Sequence, residues 1–172
     1  MSYKSIIISL LILSLFFIVP GCSGLRLTPA LPSSQEEGAL YLEPTNLSIV
    51  PGKDFTVELK TVSIADLKGC SVTLSYDPAL LSLQEVVEGT FFSTKGKTFF
   101  YKKVDNTKGT VLIDCAVLGP DLSVSGGGTL ATLSFTSLKA GSTSLTFKLA
   151  KTRDVNNKEI ITTKRNAVVK SK

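Results

Sequence analysis

The sequence predicts an all-β domain, a nine-stranded jelly-roll β-sandwich or flattened barrel, and three observations carry that prediction. Apolar residues alternate with polar ones at a period of two: Cys70, Val72, Leu74 and Tyr76 point one way, Ser71, Thr73 and Ser75 the other. Turn-forming pairs such as Pro51-Gly52, Asp77-Pro78, Lys108-Gly109 and Ala140-Gly141 interrupt the alternation at regular intervals. No window carries the three-to-four-residue recurrence of an amphipathic helix.

Taken in order, Leu40–Leu42 and Leu47–Val50 are short apolar pieces separated by Pro44 and ended by Pro51-Gly52. Phe55, Val57 and Leu59 alternate with Thr56, Glu58 and Lys60. The 70–76 strand stops at Asp77-Pro78, because proline lacks the N–H a ladder needs and holds its predecessor extended. Leu81–Val87 follows, with a bulge expected near Glu85 where the alternation slips. Phe99–Val104 is an aromatic strand closed by Asp105-Asn106 and Lys108-Gly109; beyond it Val111, Ile113, Cys115 and Val117 share one face. Gly126-Gly127-Gly128 reads as a turn feeding the strand of Ala131, Leu133 and Phe135. Leu145, Phe147 and Leu149 form another strand, Asp154–Lys158 a turn, and Ile160-Ile161 and Ala167–Val169 the last extended pieces. Inward faces rich in Leu, Val and Phe supply an independent core, each such buried side chain being worth roughly 1.5–3 kcal/mol.

Ahead of the domain, Lys4 precedes an almost unbroken apolar run, Ile6–Val19, and then Pro20-Gly21-Cys22. The run is short for a membrane span, which needs about 20 residues, and suits a signal-peptide core. A small residue and then Cys after such a run resembles the lipobox of bacterial lipoproteins. That resemblance implies cleavage after residue 21 and lipidation of Cys22; an ordinary secretory signal with an incidental cysteine is the plainer alternative. Ser23 after the cysteine implies outer-membrane rather than inner-membrane sorting in a Gram-negative cell. Residues 22–38, rich in Ser, Pro and charge, read as the lipidated Cys and a flexible tether reaching on the order of 20 Å, which leaves residues 39–172 as the domain.

The chain of 172 residues carries a net charge of +5, and loss of residues 1–21 removes one lysine and no acid, leaving +4. Basic residues crowd the segment 151–172, where they suit either an anionic lipid or cell-wall polymer or a solvated edge guarded by lysines. Nucleic acid is a poor partner for an exported chain without interleaved aromatics there. There is no His to act as general base, no Gly-x-Ser-x-Gly elbow, and no acid pair forced together by spacing, so an enzyme is not expected. No cofactor is implied; Asp154, Asn156 and Glu159 offer oxygens for a weak Ca²⁺ site, against which stands an ordinary Asx turn.

The series Ser75-Tyr-Asp-Pro78 with Leu81, Val86-Val-Glu-Gly-Thr-Phe91, Gly109–Ile113, Ser125–Phe135, Ala140–Leu145 and Asp154 with Asn156-Asn157 and Ile160 resembles, in its order, the cohesin domain family. The resemblance implies a receptor module that binds dockerins and a sheet in which the strands of Cys70 and Ile113 are neighbours. Cys70 and Cys115 would then face inward from adjacent strands, either as a cross-strand disulfide or as two buried thiols. It also implies that a partner docks on the outer face of that sheet, at Ser71, Thr73, Ser75, Lys102, Leu112, Asp114 and Ala116. Leu112 and Ala116 stand out as apolar residues on a face expected to be wet, although single exposed apolar residues are common. The expected function is therefore a non-catalytic envelope lipoprotein that binds a dockerin-type or other envelope protein. The alternatives are a carbohydrate-binding module, which without Trp would rest on Tyr41, Tyr101 and Phe99 or Phe100, and a structural part of a secretion or pilus apparatus.

Overall fold

The structure is a computed structural model and describes residues 38–172; the expected signal segment, Cys22 and residues 23–37 of the tether lie outside the described residues. Eleven strands follow in chain order: β1 (Ala39–Glu43), β2 (Asn46–Ile49), β3 (Asp54–Leu67), β4 (Gly69–Ser75), β5 (Leu81–Glu88), β6 (Thr98–Asp105), β7 (Thr110–Val117), β8 (Val124–Ser137), β9 (Gly141–Arg153), β10 (Thr163–Arg165) and β11 (Ala167–Ser171). One sheet has the order β10-β1-β3-β8-β5 and the other β2-β11-β9-β4-β7-β6. The expected all-β sandwich is present, with eleven strands rather than nine. The surplus comes from short pieces at the sheet margins, such as β2 and β10, which pair in parallel with β11 and β1. Pro44 ends the first ladder, so the chain leaves β1 in one sheet and enters β2 in the other.

The period of two is what builds the core. Along β4 and β7, Cys70, Val72, Leu74, Val111, Ile113, Cys115 and Val117 are buried while their neighbours are partly exposed. They meet Leu59, Leu83, Leu133 and Phe135 of the opposite sheet in one continuous core. Phe55 stacks on Phe135 at 5.6 Å, and Tyr76 meets the same ring edge-on at 5.2 Å. The Tyr76 hydroxyl donates to Asn106 Oδ1 at 2.6 Å, and Asn106 also bonds both backbone groups of Leu83. That one side chain ties the β6–β7 turn to β5. The Asp77 side chain accepts from the Ala79 N–H at 2.8 Å, giving the local cap that Asp-Pro implied.

The bulge expected near Glu85 is present as a register shift between Leu83 and Glu85. Two sequence expectations need correction. Gly126–Gly128 is not a turn before a strand but part of β8, facing an irregular stretch of β3 that contains Ser63 and Asp66 at positive φ. Gly128 is needed there because a Cβ would stand 2.9 Å from the Phe91 ring. Ile160-Ile161 forms no strand of its own: Ile160 hangs on β9 through its N–H to the Thr152 carbonyl at 3.0 Å, and Ile161 is 80% exposed. Pairing resumes only where Thr163 reaches β1.

Candidate docking face

Antiparallel partners lie side by side on the same face of a sheet, so the registers of β6, β7, β4 and β9 define the outer face row by row. Phe99, Ala116, Gly69 and Arg153 form one row; Tyr101, Asp114, Ser71 and Lys151 the next; Lys103, Leu112, Thr73 and Leu149 the third; Asp105, Thr110, Ser75 and Thr146 the fourth. Six of the seven residues expected on a partner-binding face, Ser71, Thr73, Ser75, Leu112, Asp114 and Ala116, therefore share one surface. The fold puts them together because β4 and β7 bury their alternate residues.

Lys102 does not belong to that surface. It pairs with Ile113, whose side chain is in the core, so Lys102 projects inward from the edge strand. Its ammonium donates to the Val86 carbonyl of β5 in the opposite sheet. The lysine of β6 on the outer face is Lys103, in the Leu112 row.

The rows add residues the sequence reading had not placed on this face: Phe99, Tyr101 and Lys103 from β6, Leu149, Lys151 and Arg153 from β9. Phe99, Tyr101 and Leu149 are 49%, 46% and 41% exposed, which is large for apolar and aromatic groups within regular strands. Signals for β6 were present, since the hairpin turn Asn106–Gly109 sets Asp105 opposite Thr110 and thereby fixes the odd-numbered residues of β6 outward. For β9 there was none in short-range pattern, because its pairing with β4 spans distant segments and carries an irregularity between Thr73 and Leu74. Of the aromatics considered for sugar stacking, Phe99 and Tyr101 are adjacent outward residues, Phe100 points in, and Tyr41 lies in the other sheet with the Arg165 guanidinium 4.8 Å from its ring centre.

Polar groups on the face are unevenly satisfied. The Ser75 and Thr146 hydroxyls share a 2.7 Å hydrogen bond. Asp114 Oδ1 is buried and accepts no hydrogen bond from the described residues. The ion pairs among the described residues involve Lys60 and Lys108, not Lys103, Lys151 or Arg153. A pocket of about 420 Å³ opens at the Gly69 row, floored by Gly69, Ser71 and Ala116.

Directly beneath, Cys70 and Cys115 are cross-strand partners with their sulfurs 2.9 Å apart as free thiols. The hydrogen bond shared with Cys70 and burial push the Cys115 thiol well above its ordinary value, so the neutral form is held. At the expected weak Ca²⁺ position, Asp154 Oδ1 accepts from the backbone N–H groups of Asn156 at 2.9 Å and Lys158 at 2.8 Å, the pattern of an Asx turn. Among the described residues no three His, Cys, Asp or Glu side chains cluster as metal ligands.

A two-sheet jelly-roll sandwich with one open, partly apolar sheet face is the class that fold and surface define. Comparison with known proteins narrows it. The family model of the cohesin domain matches residues 43–169, and the chain belongs to that family. A non-cellulosomal cohesin from the hyperthermophilic archaeon Archaeoglobus fulgidus is similar at 17% identity and a TM-score of 0.67, over 79% of this chain and 91% of that one. A type II cohesin domain from the cellulosome of Acetivibrio cellulolyticus matches at 20% identity and 0.66, over 77% and 94%. A chain of a type I cohesin–dockerin complex from Clostridium thermocellum matches at 15% identity and 0.67, over 78% and 99%. At these identities the likeness establishes the fold. No curated protein matches the chain.

Proposed function

We propose that this chain is a non-catalytic binding protein of the cell envelope, anchored by lipid at Cys22, that docks a partner protein on the outer face of β6, β7, β4 and β9. Cohesin domains are protein-interaction modules, and the solved relatives include one in complex with a dockerin. The observation that carries the reading here is the exposed group Phe99, Tyr101 and Leu149 around a half-buried Leu112, standing with hydroxyls and cations on one sheet face. An apolar centre with a polar rim is the composition of a docking patch. A dockerin-bearing protein is the partner this family membership favours, and a single domain of this kind recruits one partner to the membrane surface. The Ile6–Val19 run, Cys22 and Ser23 favour the outer membrane as the place of anchorage.

The test is capture from envelope and secreted fractions on residues 39–172, with and without Ca²⁺, beside a Leu112→Asp, Ala116→Asp control. A dockerin-bearing protein retained by the wild type and lost by the control is the expected result. Capture that survives both aspartates would contradict the face. Retention on a polysaccharide instead, abolished by Phe99→Ala and Tyr101→Ala, would favour sugar stacking on β6, the second reading that the adjacent outward aromatics support.

A further inference from the structure

The pocket at the Gly69 row carries an inference that rests on the docking reading and deepens it. Gly69 and Ala116 are opposite each other, and a Cβ on Gly69 would meet the Ala116 Cβ at 3.0 Å, so two adjacent strands leave a depression where every other row has side-chain bulk. Phe99 from β6 and Val155 from the turn after β9 wall it with apolar surface, and both are more than a third exposed. Lys151 and Arg153 stand on the β9 side, with no carboxylate within ion-pair distance among the described residues. Arg153 is fixed in place by its bond to the Asn157 carbonyl at 2.9 Å. On the opposite side Asp114 supplies a buried carboxylate oxygen that lacks a donor. A carboxylate with one oxygen desolvated and unpaired is short of donors, and a ligand N–H or O–H meeting its pocket side would supply one.

These features select one ligand chemistry. The body must be flat or bulky and apolar to fill the space between Phe99 and Val155. One end must be anionic, facing Lys151 and Arg153, because a carboxylate there gains two cations while being kept away from Asp114; Asp154, which also lines that side, has its Oδ1 taken up by the Asn156 and Lys158 N–H groups. The other end must donate a hydrogen bond to the Asp114 carboxylate, which lines the pocket. We propose that the pocket is the anchor subsite of the docking face and takes an aromatic side chain with an N–H or O–H, Trp or Tyr, flanked by an acidic residue on the partner. A buried aromatic anchor in a pocket is where interface energy concentrates. The partner is thus an acidic, aromatic-bearing surface, and the positive balance of the face complements it.

The pocket can be probed without the partner. The probe is indole-3-propionate, which joins an aromatic N–H donor to a carboxylate, titrated into ¹⁵N-labelled residues 39–172. The expected result is saturable shifts centred on the Gly69, Ser71 and Ala116 amides. Ala116→Leu, which fills the depression, weakens the probe by roughly tenfold or more. Lys151→Glu, an exposed substitution that leaves the core untouched, weakens it roughly twofold to fivefold, and indole-3-propionamide loses the same factor against the wild type. No saturable shift, equal binding of acid and amide, or probe binding unaffected by both substitutions would overturn the proposal. Leu112→Asp separates the two levels: it is two rows away, so it leaves the probe in place while removing the partner. If the captured partner is lost with Leu112→Asp but is indifferent to Ala116→Leu and Lys151→Glu, the anchor subsite falls and the docking face stands. If none of the three affects capture, both fall.

Discussion

At the scale of single residues, the paired thiols make the clearest prediction. Cys115 holds its proton more tightly in the folded chain, because Cys70 hydrogen-bonds it and the core excludes water. An unfolded thiol releases its proton near pH 8.5, so above that value the unfolded state binds fewer protons than the native state. Stability is then complete below about pH 8.5 and declines as the pH rises further. Tyr76, also raised by burial, follows only above about pH 10, so the window between isolates Cys115. Urea midpoints of the reduced protein at pH 7.5 and pH 9.5 should differ, and Cys115→Val should flatten the difference; an unchanged midpoint in the wild type would refute the account. The inward direction of both cysteines was legible from the alternation of Cys70 with Ser71 and of Cys115 with Ala116. Lys102 was not, since its own strand alternates weakly: Phe99 and Phe100 are both aromatic, and Lys102 and Lys103 both charged. Neither face of β6 can be chosen from its own residues, and only the register against Ile113 decides it.

At the scale of elements, the β6–β7 hairpin is the piece that positions the face. Its turn tucks under the end of β4, where the Tyr76 N–H donates to the Gly109 carbonyl at 2.8 Å. Gly109 adopts φ 62°, and a Cβ there would lie 2.1 Å from the Tyr76 carbonyl oxygen. Gly109→Ala should therefore cost about 1–3 kcal/mol from backbone strain alone, with a further loss from the clash, measured as a fall in the unfolding midpoint. A neutral substitution would show that the turn can move away from β4, and the registers of the docking rows would then be soft. The strands with strict alternation, β4 and β7, were readable residue by residue, as was the β5 bulge, because a bulge displaces the pattern visibly at Glu85. The Gly126–Gly128 stretch was misread for a physical reason. Three glycines signal a turn in isolation, but here they let β8 pass close to Phe91 and follow an irregular β3, a tertiary requirement without local trace. The same holds for β10, whose three residues, Thr163–Arg165, become a strand only by meeting β1.

At the scale of the whole molecule, two sheets share one core, and their outer faces differ in what they offer. The face of β6, β7, β4 and β9 combines exposed aromatics, Leu112, Leu149 and cations without acid partners. The opposite sheet presents Thr56, Glu58, Thr132 and Ser134 from its central strands, a wet surface with few anchors. The cohesin fold was readable from the order of turns and alternating strands; the composition of the docking face was only partly readable, because β9 joins it through a pairing that the sequence does not mark and β6 shows its outward side only through the register its hairpin turn sets. The measurement that tests the central claim most directly is site-specific photo-crosslinking in the full chain at Thr73 and Leu112 on the proposed face, and at Val87 and Thr132 on the outer face of the other sheet. The account predicts one defined partner adduct from positions 73 and 112 and none from 87 and 132. Adducts confined to positions 87 and 132, or none from 73 and 112 while the partner remains bound, would contradict it.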